Sequence, residues 1–201
     1  MRLESLLLEA NHRVANSLQL VSTLVHMHAS TVVDPIARMA LQDTQQRIQA
    51  IAQLHRLLYI GENVDTVAMR NYLAALVAKL REIWSTPTAP RILTLTCEQI
   101  KITSGHALSL GVIANELISN ACKYAYPPTG AGEIRISLTV GCSDRLVLCV
   151  EDDGCGLHNY PDFDGTGLGT RMMRRLVQSL KATLFYDPTH HGVRAILSVP
   201  L

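Results

Sequence analysis

The chain has 201 residues, 48% of them hydrophobic, with 18 basic and 17 acidic residues and a formal charge of +1. Such a chain builds one large core or two small ones without covalent staples, and its balanced, dispersed charge leaves no footprint for nucleic acid or an anionic membrane surface. Its 5 cysteines, with no Cys-x-x-Cys pair, read as reduced thiols, and with no apolar run near the ~18 residues of a membrane span and no signal-peptide core, the expected localisation is cytoplasmic.

Over residues 3–28 the apolar positions Leu3, Leu7, Ala10, Val14, Leu18, Val21 and Val25 recur at helical spacing without proline or glycine, which predicts a long amphipathic helix. Asp34-Pro35 then supplies an N-cap and a proline at the first helical position, opening a second helix to about residue 59. Such a hairpin cannot bury a two-sided apolar surface alone. Its expected partner is a second copy, giving a four-helix bundle dimer, with packing on the second half of the chain as the alternative.

Gly61 ends this half, and residues 65–84 read as a third helix. Past Pro87 and Pro90 the pattern changes: residues 91–97 alternate like a strand, with 99–102 as a short partner strand. Ser104 caps a helix to about residue 125, stopped by Pro127-Pro128. Residues 133–140 and 145–151 predict an antiparallel pair, 168–180 a helix, and 182–186 and 193–199 the closing strands. The fold class is therefore α+β, with a helical hairpin at 1–62 followed by an α/β sandwich at 63–201.

Three segments of the second half suit a nucleotide. On the helix from Ser104, Glu116, Asn120 and Lys123 share one stripe, offering a proton acceptor, an amide oxygen for Mg²⁺ and an ammonium for phosphate. Asp152-Asp153-Gly154-Cys155-Gly156 follows an apolar strand, so Asp152 sits where Gly154 and Gly156 let the backbone turn and a flat base approach. Gly165-Thr166-Gly167-Leu168-Gly169 opens a helix whose first N–H groups can meet phosphate. Residues 157–164 between the two glycine clusters have the length of a lid over bound nucleotide. No Gly-x-x-x-x-Gly-Lys-Ser/Thr element is present, so P-loop and Rossmann readings are poor.

In this order the three segments resemble the N, G1 and G2 boxes of the Bergerat-type ATPase fold shared by histidine kinases, gyrase-type topoisomerases, mismatch-repair ATPases and heat-shock chaperones. Residues 115–127 are similar to bacterial histidine kinases in particular. Near the N-terminus, Glu9-Ala10-Asn11-His12-Arg13-Val14-Ala15-Asn16-Ser17-Leu18-Gln19 resembles the phosphoacceptor box, His-Arg-x-x-Asn-x-Leu-Gln, of a subgroup related to the HWE kinases. It departs at Asn11, Ala15 and Ser17, where histidine, lysine and asparagine are usual.

The resemblance implies a two-component sensor histidine kinase core. ATP and Mg²⁺ are the implied cofactors, with Mg²⁺ on Asn120, adenine on Asp152 beside Gly154 and Gly156, and phosphates near Lys123 and the loop of Gly165, Gly167, Leu168 and Gly169. His12 is the implied nucleophile and Glu116 the proton acceptor. The implied partners are a response regulator receiver domain, an upstream sensor domain or sensor protein, and a second copy of the chain. Two rivals stand beside this reading: a phosphotransfer or scaffold module with a non-catalytic ATPase-like half, and a serine kinase or ATPase of the same superfamily. Nucleotide binding tests the first, and acid-stable phosphate on a partner tests the second.

Overall fold

The structure is a computed structural model and describes residues 2–58, 66–141, 144–157 and 168–201. It divides into two compact units, Met1–Val67 and Ala68–Leu201.

The first unit is a hairpin of α1 (Arg2–Thr31) and α2 (Pro35–Leu58). Its turn forms as the Asp-Pro pair dictates: Asp34 Oδ1 and Oδ2 accept the N–H groups of Ile36 and Ala37 at 3.2 and 3.3 Å, satisfying two orphan donors of the first turn. The Arg38 guanidinium donates to the Val32 carbonyl at 2.8 Å and closes the corner. The buried seam of α1 runs one position later than the sequence periodicity indicates. Ala15, Ser22 and Ala29 are buried, Leu18 and Val25 half-buried, and Val14 and Val21 each 45% exposed. Leucine and valine occupy both phases of this helix, so hydrophobicity alone cannot choose between them. The hairpin selects the phase with small residues at heptad spacing, which let two backbones approach closely. Among the described residues no helix is long and apolar enough to cross a membrane.

The second unit sets α3 (Met69–Trp84), α4 (Ser104–Asn120) and α5 (Leu168–Ser179) against a five-stranded sheet. The chain enters it through β1 (Thr66–Ala68), so the third helix begins at Met69 rather than at residue 65. The sheet strands are β2 (Arg91–Cys97), β4 (Gly132–Gly141), β5 (Arg145–Asp152), β6 (Thr183–Tyr186) and β7 (Arg194–Pro200), in the order β2-β4-β5-β7-β6. β2 runs parallel to β4 and every other pair is antiparallel. The short strand after β2 is β3 (Lys101–Thr103), and it pairs with β1, not with β2 as its position in the sequence indicates. The Glu98 N–H donates to the Leu138 carbonyl at 3.0 Å, which carries the chain off the end of β2 instead of turning it back.

Alternation decides which face is buried. Ile134, Ile136 and Leu138, Leu146, Leu148 and Val150, and Ala195, Leu197 and Val199 point into a core completed by Leu73 and Leu80 of α3 and by Leu110, Ile113 and Ile118 of α4. The other face carries an ionic ladder across register partners Arg135, Glu151 and Arg194. Arg135 bonds Glu151 at 2.8 Å and grips both oxygens of Asp153, while Arg194 pairs with Glu151 and Asp187. These guanidinium contacts hold the Asp153 carboxyl below the usual carboxylate range, and in Glu151 they outweigh the upward push of burial.

Candidate functional site

The site grows from the C-terminal end of α4. Thr103 caps this helix, accepting the His106 N–H on its hydroxyl, and Ile113, Leu117 and Ile118 bury one side of it. Glu116 lies on the stripe the sequence assigned to chemistry and is only 6% exposed, while Asn120, one turn on, is half-buried. The stripe is therefore not a solvated helix face.

After Asn120 the winding changes. Residues Ala121–Ala125 form one π-helical turn, designated η1, where the sequence predicts a continuing α-helix. A π turn is wider than an α turn, so residues beyond Asn120 fall out of the α-helical stripe. Lys123 is displaced accordingly: its ammonium lies over the Trp84 ring, 5.4 Å from the centroid.

Asp152, at the end of β5, is 1% exposed. Its Oδ1 accepts the N–H of Gly154 at 3.0 Å and of Val193 at 3.2 Å, which fixes the carboxylate between the turn after β5 and the residue that leads into β7. The Asp152 backbone is held just as firmly, its N–H donating to the Val193 carbonyl at 2.9 Å and its carbonyl accepting His190 Nε2–H at 2.8 Å. Beyond it, the Cys155 N–H donates to the Ala125 carbonyl at 2.9 Å. A Cβ on Gly154 would collide with that same carbonyl, so the close approach of the turn to η1 requires glycine there. Gly156 has φ +74, a conformation that side chains disfavour. Asn120, Lys123, Asp152, Gly154 and Gly156 are thus carried on two backbone segments in direct contact.

The remaining predicted residues divide. Leu168 opens α5 and Gly169 is buried in its first turn, while the Leu168 side chain, Gly165, Gly167 and positions 158–164 of the expected lid lie outside the described residues. His12 falls within α1, but its side chain also lies outside the described residues. Next to it, Arg13 pairs with Glu9 at 2.7 Å and Ser17 donates to the Arg13 carbonyl at 2.9 Å. Among the described residues no cluster of three or more His, Cys, Asp or Glu could hold a metal. Burial raises the thiol of Cys97, and that of Cys122 to about 12, so both behave as small apolar side chains.

Sequence reading missed Arg91. Its guanidinium, on a residue 5% exposed, donates to the carbonyls of Cys122, Gly130 and Pro127 at 3.2, 2.8 and 3.2 Å and stacks over the Tyr126 ring. It therefore fixes η1 and the loop after it. Tyr126 in turn donates to the Glu133 carbonyl at 2.6 Å and accepts the Asp153 N–H at 3.1 Å, linking that loop to the Asp152 turn. The acceptors of Arg91 lie more than thirty residues away, so no local pattern marks it.

Residues 9–84 match the histidine kinase family HisKA_2, and residues 105–201 match the family described as histidine kinase-, DNA gyrase B- and HSP90-like ATPase. Blue-light-activated histidine kinase 2 of Erythrobacter litoralis is 22% identical over 99% of this chain and 57% of its own length. Sensor histidine kinase PdtaS of Mycobacterium tuberculosis is 27% identical over 96% of this chain and 39% of its own. The chain thus spans well under two thirds of these relatives. Among solved structures, the histidine kinase domain of a blue-light activated histidine kinase from Erythrobacter litoralis superposes with a TM-score of 0.65 at 22% identity, covering 100% of this chain and 95% of that one. The fold is the helical hairpin and Bergerat-type sandwich expected from the motifs.

Proposed function

We propose that this chain, a member of the histidine kinase family, is the core of a two-component kinase that phosphorylates His12 from Mg-ATP and passes the phosphoryl group to an aspartate of a response regulator. The observation that supports this reading is the main-chain junction between Ala125 and the Gly154-Cys155 turn, which joins η1, the segment that follows Asn120 and carries Lys123, to the turn after Asp152. A nucleotide needs just this pairing of an amide, an ammonium and a buried acid.

In the proposed mechanism Asp152 accepts the adenine amino group, its carboxylate already aimed by Gly154 and Val193. Asn120 would hold Mg²⁺ through its amide oxygen, as suits an ion that seldom takes an all-protein cage. When bound, Mg²⁺ neutralises charge on the phosphates. Lys123 and the helix start at Leu168 and Gly169, after Gly165 and Gly167, do the same from the protein side. A neutral ring nitrogen of His12 attacks the γ-phosphorus in line. The bond to the β–γ bridging oxygen breaks, ADP departs, and the imidazole proton passes to Glu116. Phosphoryl transfer asks mainly for positioning and charge neutralisation, and these groups supply both.

Val14, Val21, Leu24 and Met27 are 45 to 56% exposed on α1, and this apolar surface supports pairing with a second copy as a four-helix bundle. The proposed localisation is cytoplasmic, with input from a sensor domain or sensor protein. The test is incubation with γ-labelled ATP and Mg²⁺: an acid-labile, base-stable label is expected on the chain and is lost in His12→Ala. Label that persists in that variant overturns the assignment of His12.

A further inference from the structure

We propose that Trp84 is a positioning residue for Lys123, holding its ammonium where the phosphate end of the nucleotide arrives, so that Trp84 tunes affinity for the phosphates and not for the nucleoside. The proposal rests on the reading of Lys123 as the phosphate-contacting group.

Two observations converge on it. The first is the contact itself. Trp84 is the last residue of α3 and half-buried, and the Lys123 ammonium lies 5.4 Å from its ring centroid, within the range of cation–π attraction. Lysine carries its charge on a long flexible stem, so a bound phosphate must otherwise meet the entropy cost of immobilising it. An indole face localises the head and adds no negative charge of its own.

The second observation is the frame around the contact. The Arg91 N–H donates to Ser85 Oγ at 3.0 Å, and Arg91 Nε donates to the Cys122 carbonyl at 3.2 Å. Ser85 follows Trp84 and Cys122 precedes Lys123, so one buried residue bridges the chain neighbours of both partners. The π turn completes the arrangement by swinging Lys123 out of the Glu116 and Asn120 stripe. The ring and the ammonium are therefore brought together by fixed backbone, and their meeting is not the chance resting place of a surface lysine.

The experiment measures affinity of the full chain for ADP and for adenosine, with Mg²⁺, by calorimetry. Trp84→Leu is expected to weaken ADP about two- to five-fold and to leave adenosine unchanged, and Trp84→Phe to recover most of the loss. Lys123→Met also weakens ADP selectively, and the double variant binds ADP no more weakly than Lys123→Met alone. The chain has 1 tryptophan, so in the unsubstituted protein its fluorescence should change on adding ADP and not adenosine, a readout that needs no variant to fold. Equal loss of ADP and adenosine in Trp84→Leu, or additive losses in the double variant, overturns the proposal while leaving the Lys123 assignment in place. An unchanged ADP affinity in Lys123→Met instead removes the phosphate role of Lys123, and this inference with it.

Discussion

Arg91→Met tests whether η1, which continues α4 at its proposed nucleotide-facing end, is held from behind. Three hydrogen bonds from a buried cation to carbonyls are lost, at 3.2, 2.8 and 3.2 Å. At roughly 1.5 to 3 kcal/mol for each bond to a charged group, their gross contribution is on the order of 6 kcal/mol. Against this stands the cost of keeping a guanidinium out of water, several kcal/mol that methionine does not incur. Methionine also keeps part of the packing of the arginine stem. The net expectation is a loss of about 2 to 4 kcal/mol, or a fall of roughly 4 to 16 °C in the melting temperature of the second unit. Because Cys122 adjoins Lys123, ADP affinity should fall as well. Differential scanning calorimetry of the full chain, with and without ADP, reads both effects. Arg91→Lys keeps the charge but not the fork, and should recover less than half of the loss. A melting temperature within about 1 °C of the parent would refute the clamp and the balance of energies behind it.

Gly154→Ala drives a methyl group into the Ala125 carbonyl, with backbone on both sides of the clash; loss of binding to a fluorescent ATP analogue is expected with circular dichroism unchanged, and parental affinity would contradict the junction. His55 is buried and its imidazole is held below 6.5 by desolvation. The unfolded chain therefore binds more protons, so hairpin stability is full above about pH 6.5 and is lost as pH falls below it. The urea midpoint should drop between pH 7.5 and 5.5, and His55→Leu should flatten that dependence. The Arg135 hydrogen bonds depress Asp153, and with Arg194 they outweigh burial in depressing Glu151. Their stabilisation is present above the ordinary carboxylate range near ~4 and is lost as pH falls below it. Acid unfolding of Arg135→Met should begin at higher pH than in the parent, and coincident acid transitions would remove the ladder from the account.

What could be read in the sequence was what local chemistry decides. Asp34-Pro35 marks the start of α2 because the cap and the proline act on the next few residues. Alternation marks β4, β5 and β7 because one face of each meets the core. The motif residues Asn120, Asp152 and Gly154 were legible because their spacing belongs to one helix or one turn. The rest depended on partners far away in the chain. The seam of α1 was misphased since Val14 and Ala15 are both apolar and only α2 decides between them. β1 is three residues long, too short for a period to show, and exists through β3. The π turn and the grip of Arg91 have no local signature at all.

The walls of the proposed nucleotide pocket meet main chain to main chain, Cys155 N–H on the Ala125 carbonyl. A joint of that kind is indifferent to the chemistry of the residues that form it, provided position 154 carries no side chain. Ala125 and Cys155 enter it only through a carbonyl and an N–H, groups that every residue but proline supplies at position 155. Selection should therefore purge almost every replacement of Gly154, because the joint needs a position without a side chain there.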